Sequence, residues 1–444
     1  MAQATKTHPW RRYEPSTHCP WNLARAAHLH RRAGFGASWP QLQTSLKTGP
    51  QKTVDILLKP KADTEAFNKT CDGYVRSVDS SEKLRPWWLR RMVLTPHPLL
   101  EKMTLFWHDF FALSGSRGPG GAQMREHIAV LRRNAMGRFG KLIAVVAGDT
   151  ATVLSLGSAT GGITRLDESF ALQLLGRYTV GPGNFSDEDV RQTVRAMTGW
   201  AVLRNRRRYF KAKHDAGVKT VLGKTGQFSH DDVVKIASEH PAAARNVVRK
   251  LYRQFISQAA EPAESLLAPL VRAFAKDFDI SRLVETMLRS SLFFSDAVIG
   301  RRIKSPVEFA VGVVRSFEAM APTARLAEDL ADLGQNLYHP PTADGWAGGK
   351  HWINNTTLIG RRNLAAALLA ESGPYAGKCD PAALVKRHRC ADPEASARLL
   401  AGLLCGPGDT FKESLKLLPS SGPPPDRLRT FAYRLIARPE FQLA

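Results

Sequence analysis

Apolar residues recur every three to four positions along most of this chain, the spacing that lines one face of an α-helix. The pattern is densest from Pro86 to Ser114, PWWLRRMVLTPHPLLEKMTLFWHDFFALS. Pro98 suits a first helical turn, where its missing N–H breaks no bond. From there Leu99, Met103, Phe106, Trp107 and Phe110 fall on one face, and Glu101, Leu105, His108 and Ala112 on the other. Asp109 lies to the side and is expected at the surface. The same spacing predicts a helix after Asn22, another from Ser38 with Pro40 in its first turn through Leu58, and others over about 123–133 and 137–147. Asp167 is placed to cap a helix that stops near Gly181. Ser186 and Asp189 form a capping-box pattern, with Asp187, Glu188 and Asp189 in the first turn, where the helix dipole favours negative charge. Helical spacing resumes up to Phe294, then over Arg301–Ala321, Leu326–Leu337 and about 356–371, 392–404 and 426–437. Residues 59–83 read as a polar loop, 114–121 and 157–162 as glycine-rich breaks, and 202–225 as weakly helical with a short hairpin. Heptads and fixed-period repeats are absent. The expected architecture is therefore mainly α: an irregular N-terminal arm over 1–22, then a single large multi-helix domain over 23–444, with long glycine- and tryptophan-containing loops and little β.

Composition sharpens this picture in two places. The 444 residues are 43% hydrophobic, enough for a substantial core. They carry a formal charge of +23 and a pI of about 10.1, which favours anionic partners such as nucleic acid, anionic polysaccharide or a membrane surface. Most of the excess comes as scattered Arg pairs on expected helix faces. One run is denser, RNRRRYFKAK from Arg204 to Lys213. The five cysteines, with no C-x-x-C, exclude a disulfide scaffold and argue against structural zinc; Cys379 and Cys390 could pair, but free thiols are the expectation. MAQATKTHPWRRYEP has no apolar signal core, and no stretch is apolar for 18 residues, so no transmembrane segment is expected. As the sequence stands the expectation is cytoplasmic; a misassigned start would leave export or envelope association open.

Three constellations could carry chemistry. Glu101 and His108 sit two turns apart on one helix; with groups from a second helix they would suit a metal or a proton transfer, and alone they are a solvated face. His214, Asp215 and Lys219, in KHDAGVKTVLG, offer an Asp-oriented general base beside a flexible Gly217, or ordinary turn bonding by Asp215. Trp346, His351 and Trp352, in GWAGGKHW, offer flat rings for sugars or bases beside glycines that let backbone approach a ligand, or a loop whose indoles plug the core. The Walker A, G-x-G-x-x-G, H-E-x-x-H and G-x-S-x-G signatures are missing, and no nucleic-acid module is recognisable, so specific nucleic-acid binding is not expected.

Several segments in order, HLHRRAGFGAS, WWLRRMVLTPHPLLEKMTLFWHDFFALS, LRRNAMGRFGKLI, DEDVRQTVRAMTGW, HDAGVKTVLG, the PP-x-x-x-GW-x-GG-x-x-W loop and RPEFQLA, together resemble the bacterial domain-of-unknown-function family 1800. The resemblance spans roughly residues 28–444 and implies one family domain, but no defined activity. Two departures stand out. The family pattern FWH-x-HF has a second His where this chain has Phe110. A family segment like NENFARELLEL reads DESFALQLLGR here, which keeps Glu168 but puts Leu172, Gln173 and Gly176 where an Arg and two Glu are expected. The resemblance implies that a His/Glu site on these helices would have lost several ionisable groups.

The leading expectation is a ligand-binding cleft for an anionic or carbohydrate-like ligand, walled by the Leu99–Ala112 helix, the Asp167–Tyr178 helix, the His214 loop and the Trp346 loop. Glu101, His108, Glu168, His214 and Asp215 are its candidate catalytic residues, with Glu101 and His108 the candidate metal ligands. Lys219, Trp346, His351 and Trp352 are its candidate binding residues. Two alternatives stand beside it: a metal-assisted hydrolase, and a basic nucleic-acid or envelope-associated binder working through Arg204 to Lys213. The cofactor, the metal and the oligomeric state are left open.

Overall fold

The protein is described by a computed structural model over residues 8–60, 64–75, 78, 80–113, 119–160, 163–259, 261–405 and 411–444. It is mainly α, 59% helix and 6% strand, with 22 helices among the described residues. The expected helix starts are realised by their own side chains. Asn22 accepts from the Arg25 amide at 3.1 Å, Asp167 from the Ser169 amide at 3.0 Å, and Ser186 from the Asp189 amide at 3.1 Å while Asp189 bonds back to the Ser186 amide at 2.8 Å. These bonds satisfy amides that a helix leaves unpaired at its first turn.

Helix Pro98–Phe110 is the hub. It packs against Leu23–Ala33, Pro50–Leu58, Ser81–Leu94 and Gly121–Asn134. The expectation of two faces fails here: Glu101, Lys102, Leu105 and His108 are as buried as Leu99, Met103 and Trp107. A helix enclosed on every side must pair each polar group that it carries inward. Trp107 does so through Nε1, which donates to the Ala135 carbonyl at 2.8 Å, and its ring stacks on Phe111 with centroids 5.6 Å apart.

Other segments differ from the pattern for local reasons. The expected loop over 59–83 contains helix Thr64–Gly73, and helix Ser81–Leu94 starts five residues before Pro86. Pro86 deprives the Glu82 carbonyl of its helical partner, and Arg85 Nε donates to that oxygen instead, at 3.3 Å. The Arg301–Ala321 helix is regular only over Pro306–Ser316, where Ser305 and Glu308 form a capping box. The glycine-rich residues 114–118 and 161–162 lie outside the described residues.

Four short strands, Ser158–Thr160, Ile163–Arg165, Trp200–Leu203 and Arg206–Tyr209, form an antiparallel sheet in sequence order. The last two are joined through Arg204 and Asn205, both at positive φ (50° and 60°), as a tight two-residue hairpin requires. Lys219–Val221 and Lys224–Gly226 make a second hairpin.

Within the N-terminal arm, residues 9–13 run alongside 289–292: Tyr13 N donates to the Arg289 carbonyl and Ser291 N to the Arg11 carbonyl, each at 2.8 Å. At the other end Lys304 N donates to the Gln442 carbonyl and Ala444 N to the Arg302 carbonyl, each at 2.8 Å. The stretch from Arg289 to Lys304 is thus braced from both sides, and Arg302 on it is held in place. The five cysteines are free. No single helix among the described residues is long and apolar enough to cross a membrane.

Candidate functional site

The last turn of helix Pro98–Phe110 meets the Trp346 loop, and two consecutive side chains point to different sides of that junction. His108 goes inward. Its Nε2 accepts the Tyr338 amide at 3.1 Å, and its ring packs among Trp88, Tyr338 and Trp346 with centroids 5.2 to 5.7 Å apart. Burial pushes its pKa down to about 3, helped by His127 and His339, so the ring is neutral. An Nε2 that accepts an amide hydrogen has no lone pair left for a metal, and the ring proton then sits on Nδ1. This tautomer removes His108 as a metal ligand.

Asp109 goes the other way, into a cleft. It was expected at the surface and is partly buried instead, because the Trp346 loop folds over it. Its Oδ1 accepts the Trp346 amide at 2.8 Å. Gly345, at φ 78°, lets the loop come this close: a Cβ there would stand 2.2 Å from Asp109 Oδ1 and 2.6 Å from its carbonyl oxygen. Arg177 locks the junction, donating to the Asp109 and Phe110 carbonyls at 2.8 and 2.9 Å and to Asp344 at 3.3 Å. A guanidinium at a helix C-terminus also complements the helix dipole. Arg177 comes from a π-helical segment, Gln173–Tyr178, which continues the helix capped by Asp167.

The cleft has a volume of about 70 Å³, and its polar wall is Asp109, Gln254, Gln258, Arg302, Glu308 and Gln335, with the indoles of Trp346 and Trp352 alongside. Arg302 Nη1 donates to Glu308 at 2.6 Å and Nη2 to Gln254 at 3.3 Å. Arg302 Nε and Gln258 Oε1 are buried with no hydrogen-bond partner among the described residues. The two carboxyls are held in opposite states. Burial pushes Asp109 up to about 6, against the opposing pull of the Trp346 amide, Arg177, Lys250 and Arg302. Burial alone would raise Glu308 too, but Arg302 and the ammonium of Lys102, which also donates to it, hold it well below the usual range. Such a pair separates a proton donor from a fixed anion.

The other sequence candidates lie elsewhere. Glu101 is fully buried, and Arg132, Arg91 and Trp88 all donate to it. Burial would raise its pKa, but the two guanidiniums outweigh that and lower it. Its charge belongs to an ion network in the core. Glu168 is exposed in the first turn of its helix. His214 bonds to the Thr198 carbonyl at 3.1 Å, and Asp215 is engaged by Arg195 at 2.8 Å and by the Gly217 amide at 2.8 Å. Lys219 donates to the Gly217 carbonyl at 2.9 Å. This is the turn-bonding alternative, and none of its contacts reaches the cleft. His351 is exposed, while Trp346 and Trp352 are only 7% and 9% exposed, so little of either ring is open. The structure therefore joins His108 and Trp346, and brings Trp352 near them, but leaves Glu168, His214, Asp215 and Lys219 apart from that junction.

Sequence reasoning missed Asp109, Arg177, Gln254, Gln258, Arg302 and Gln335. One signal was available: Gly345 before Trp346 marks a backbone that must approach something closely. A buried pair also went unseen, His127 Nδ1 with Asp149 at 2.6 Å. Phe110, where the family pattern has a second His, packs against Trp107 and Phe111, with Lys250 Nζ 5.8 Å from its ring centre. Leu172 is exposed, Gln173 keeps a buried Oε1 unpartnered among the described residues, and Gly176 lies against Phe185.

Fold and site together define a mainly helical protein with a polar cleft at the C-terminus of its central helix, and no group of three or more His, Cys, Asp or Glu among the described residues is arranged to hold a metal ion. The chain belongs to the family described as protein of unknown function (DUF1800), whose model matches residues 28–443. Neither the curated proteins nor the solved structures contain a match to it.

Proposed function

We propose that the protein binds a small, hydroxylated, acidic ligand of the sugar-acid class in the cleft beside Asp109. The observation that carries this reading is the wall itself: three carboxamides, a carboxyl of raised pKa and a guanidinium already balanced by the Glu308 carboxylate converge on one hollow. Carboxamides both donate and accept, and a carboxyl accepts when ionised and also donates when protonated, which matches the hydroxyls of a sugar. Arg302 Nε adds a donor for an acidic oxygen, where a charge-assisted bond is strongest. A hollow of about 70 Å³ takes one end of such a molecule rather than a chain of rings.

A second reading, acid catalysis, is favoured by Asp109 alone. A carboxyl raised to about 6 gives up a proton near neutral pH, the property that a general acid needs. Binding comes first in either case. Titration with D-glucuronate, followed by tryptophan fluorescence, is expected to give a saturable change, with D-glucose and acetate weaker. Asp109→Asn is expected to weaken glucuronate about tenfold, the value of one hydrogen bond to a charged or acidic group. No saturable response to any of the three compounds would end the proposal.

A further inference from the structure

The four-stranded sheet carries a second feature, independent of the cleft. Its registers pair Arg165 with Ala201 and Ala201 with Arg208, and likewise Ile163 with Leu203 and Leu203 with Arg206. Side chains alternate across a sheet, so these six residues share one face. Its arginines open that face outward: Arg165, Arg206 and Arg208 are exposed, with the small Ala201 covered between them, while Thr164 and Val202 on the opposite face are buried. Arg207 belongs to the opposite face too, lying 3.7 Å from the centre of the Trp200 ring.

A groove of about 240 Å³ runs over the outward face. Its floor is apolar, made by Ile163, Leu203 and Phe210, and Arg165 and Lys213 stand on its rim. Arg206 and Arg208 extend that rim along the neighbouring strand, about 7 Å apart at two residues' rise. Arg204 and Lys211 flank it. The run 204–213 contains no Asp or Glu, and none of Arg165, Arg204, Arg206, Arg208, Lys211 or Lys213 pairs with a carboxylate among the described residues. Several other arginines of this protein do have such partners, among them Arg91, Arg132, Arg195, Arg249 and Arg289. Unpaired cations gathered on one open face call for an anion from outside.

We infer that this sheet face binds single-stranded nucleic acid. Cations spaced along a strand suit successive phosphates, and an apolar groove with an aromatic floor suits an unstacked base, which a duplex does not present. The contact is to backbone and base face, so it reads no sequence, in keeping with the absence of any sequence-reading module.

The test is fluorescence anisotropy of a labelled twenty-residue oligo-dT with the full chain, over a range of salt. Four phosphate contacts predict that log K falls with log salt at a slope of about −3, and Arg165→Gln, Arg206→Gln and Arg208→Gln together should leave a slope of about −0.7. That difference amounts to roughly 100-fold in affinity at 0.1 M salt relative to 1 M. These three side chains are exposed, so the triple variant should melt like the wild type. Phe210→Leu should weaken binding several-fold and leave the slope alone, because it removes a ring and not a charge. A triple variant that keeps the wild-type slope would overturn the inference. So would an equal loss in a control, Lys52→Gln with Lys59→Gln and Lys276→Gln, which would make the effect diffuse charge. Heparin or phosphatidylglycerol vesicles bound more tightly than the oligonucleotide at the same salt, through the same three arginines, would replace nucleic acid as the occupant.

Discussion

Replacing Glu101 by Gln removes one charge from the middle of the fold and almost no volume. The carboxylate it removes accepts from Arg132 Nε at 2.7 Å, Arg132 Nη2 at 3.2 Å, Arg91 Nη2 at 3.2 Å and Trp88 Nε1 at 3.1 Å. The side chains of Glu101, Arg91 and Arg132 are 1%, 2% and 9% exposed, so water screens none of them. Removing one partner of a buried pair leaves uncompensated charge and costs about 3–5 kcal/mol. Arg91 keeps a half-exposed neighbour, Asp72 at 3.2 Å, and the amide oxygen of Gln can still accept one bond. The loss should therefore fall near the lower end, about 3 kcal/mol out of a total stability on the order of 5–15 kcal/mol. Urea unfolding at pH 7 would show it as a lower midpoint at an unchanged slope. The pH dependence carries a sign. The pKa of Glu101 is lowered in the folded state, so its contribution is present above the unfolded value of about 4.3 and fades as pH falls through the folded value. The gap between wild type and Glu101→Gln should narrow accordingly below about pH 5. A change in stability under about 0.5 kcal/mol at pH 7 would refute the structural reading and return Glu101 to the list of groups free for chemistry.

Gly345→Ala should destabilise the Trp346 loop by about 1–2 kcal/mol from its left-handed backbone alone, with the contact on Asp109 adding to that; thermal unfolding and tryptophan emission would report it, and an unchanged melt would contradict the close approach. Asp109→Asn should flatten a pH dependence of stability. Because the folded pKa is raised to about 6, the wild type loses stability as pH rises from about 4 through 6, and the Asn variant, which cannot ionise, should not; parallel curves for the two proteins across that window would contradict the assignment.

Three helix starts were legible because their causes are local. Asn22, Asp167 and the Ser186–Asp189 pair cap the helices that their spacing announced. The missed helix over Thr64–Gly73 is short and polar, with only Cys71 buried, so it left no apolar stripe to read. The site was less legible for a physical reason of its own. Periodicity assigns a residue to a face but cannot say whether that face meets water or another helix, and on Pro98–Phe110 this ambiguity inverted two roles. Glu101, polar on a seemingly open face, is neutralised by arginines from two neighbouring helices at 10 and 31 residues' distance. Asp109, dismissed as surface, is covered by a loop 237 residues away. A carboxylate met by guanidiniums becomes structure, and one met by amides at a cleft stays available for a ligand or a proton. What separates the two is the identity of the donors brought by distant segments, which only tertiary packing decides.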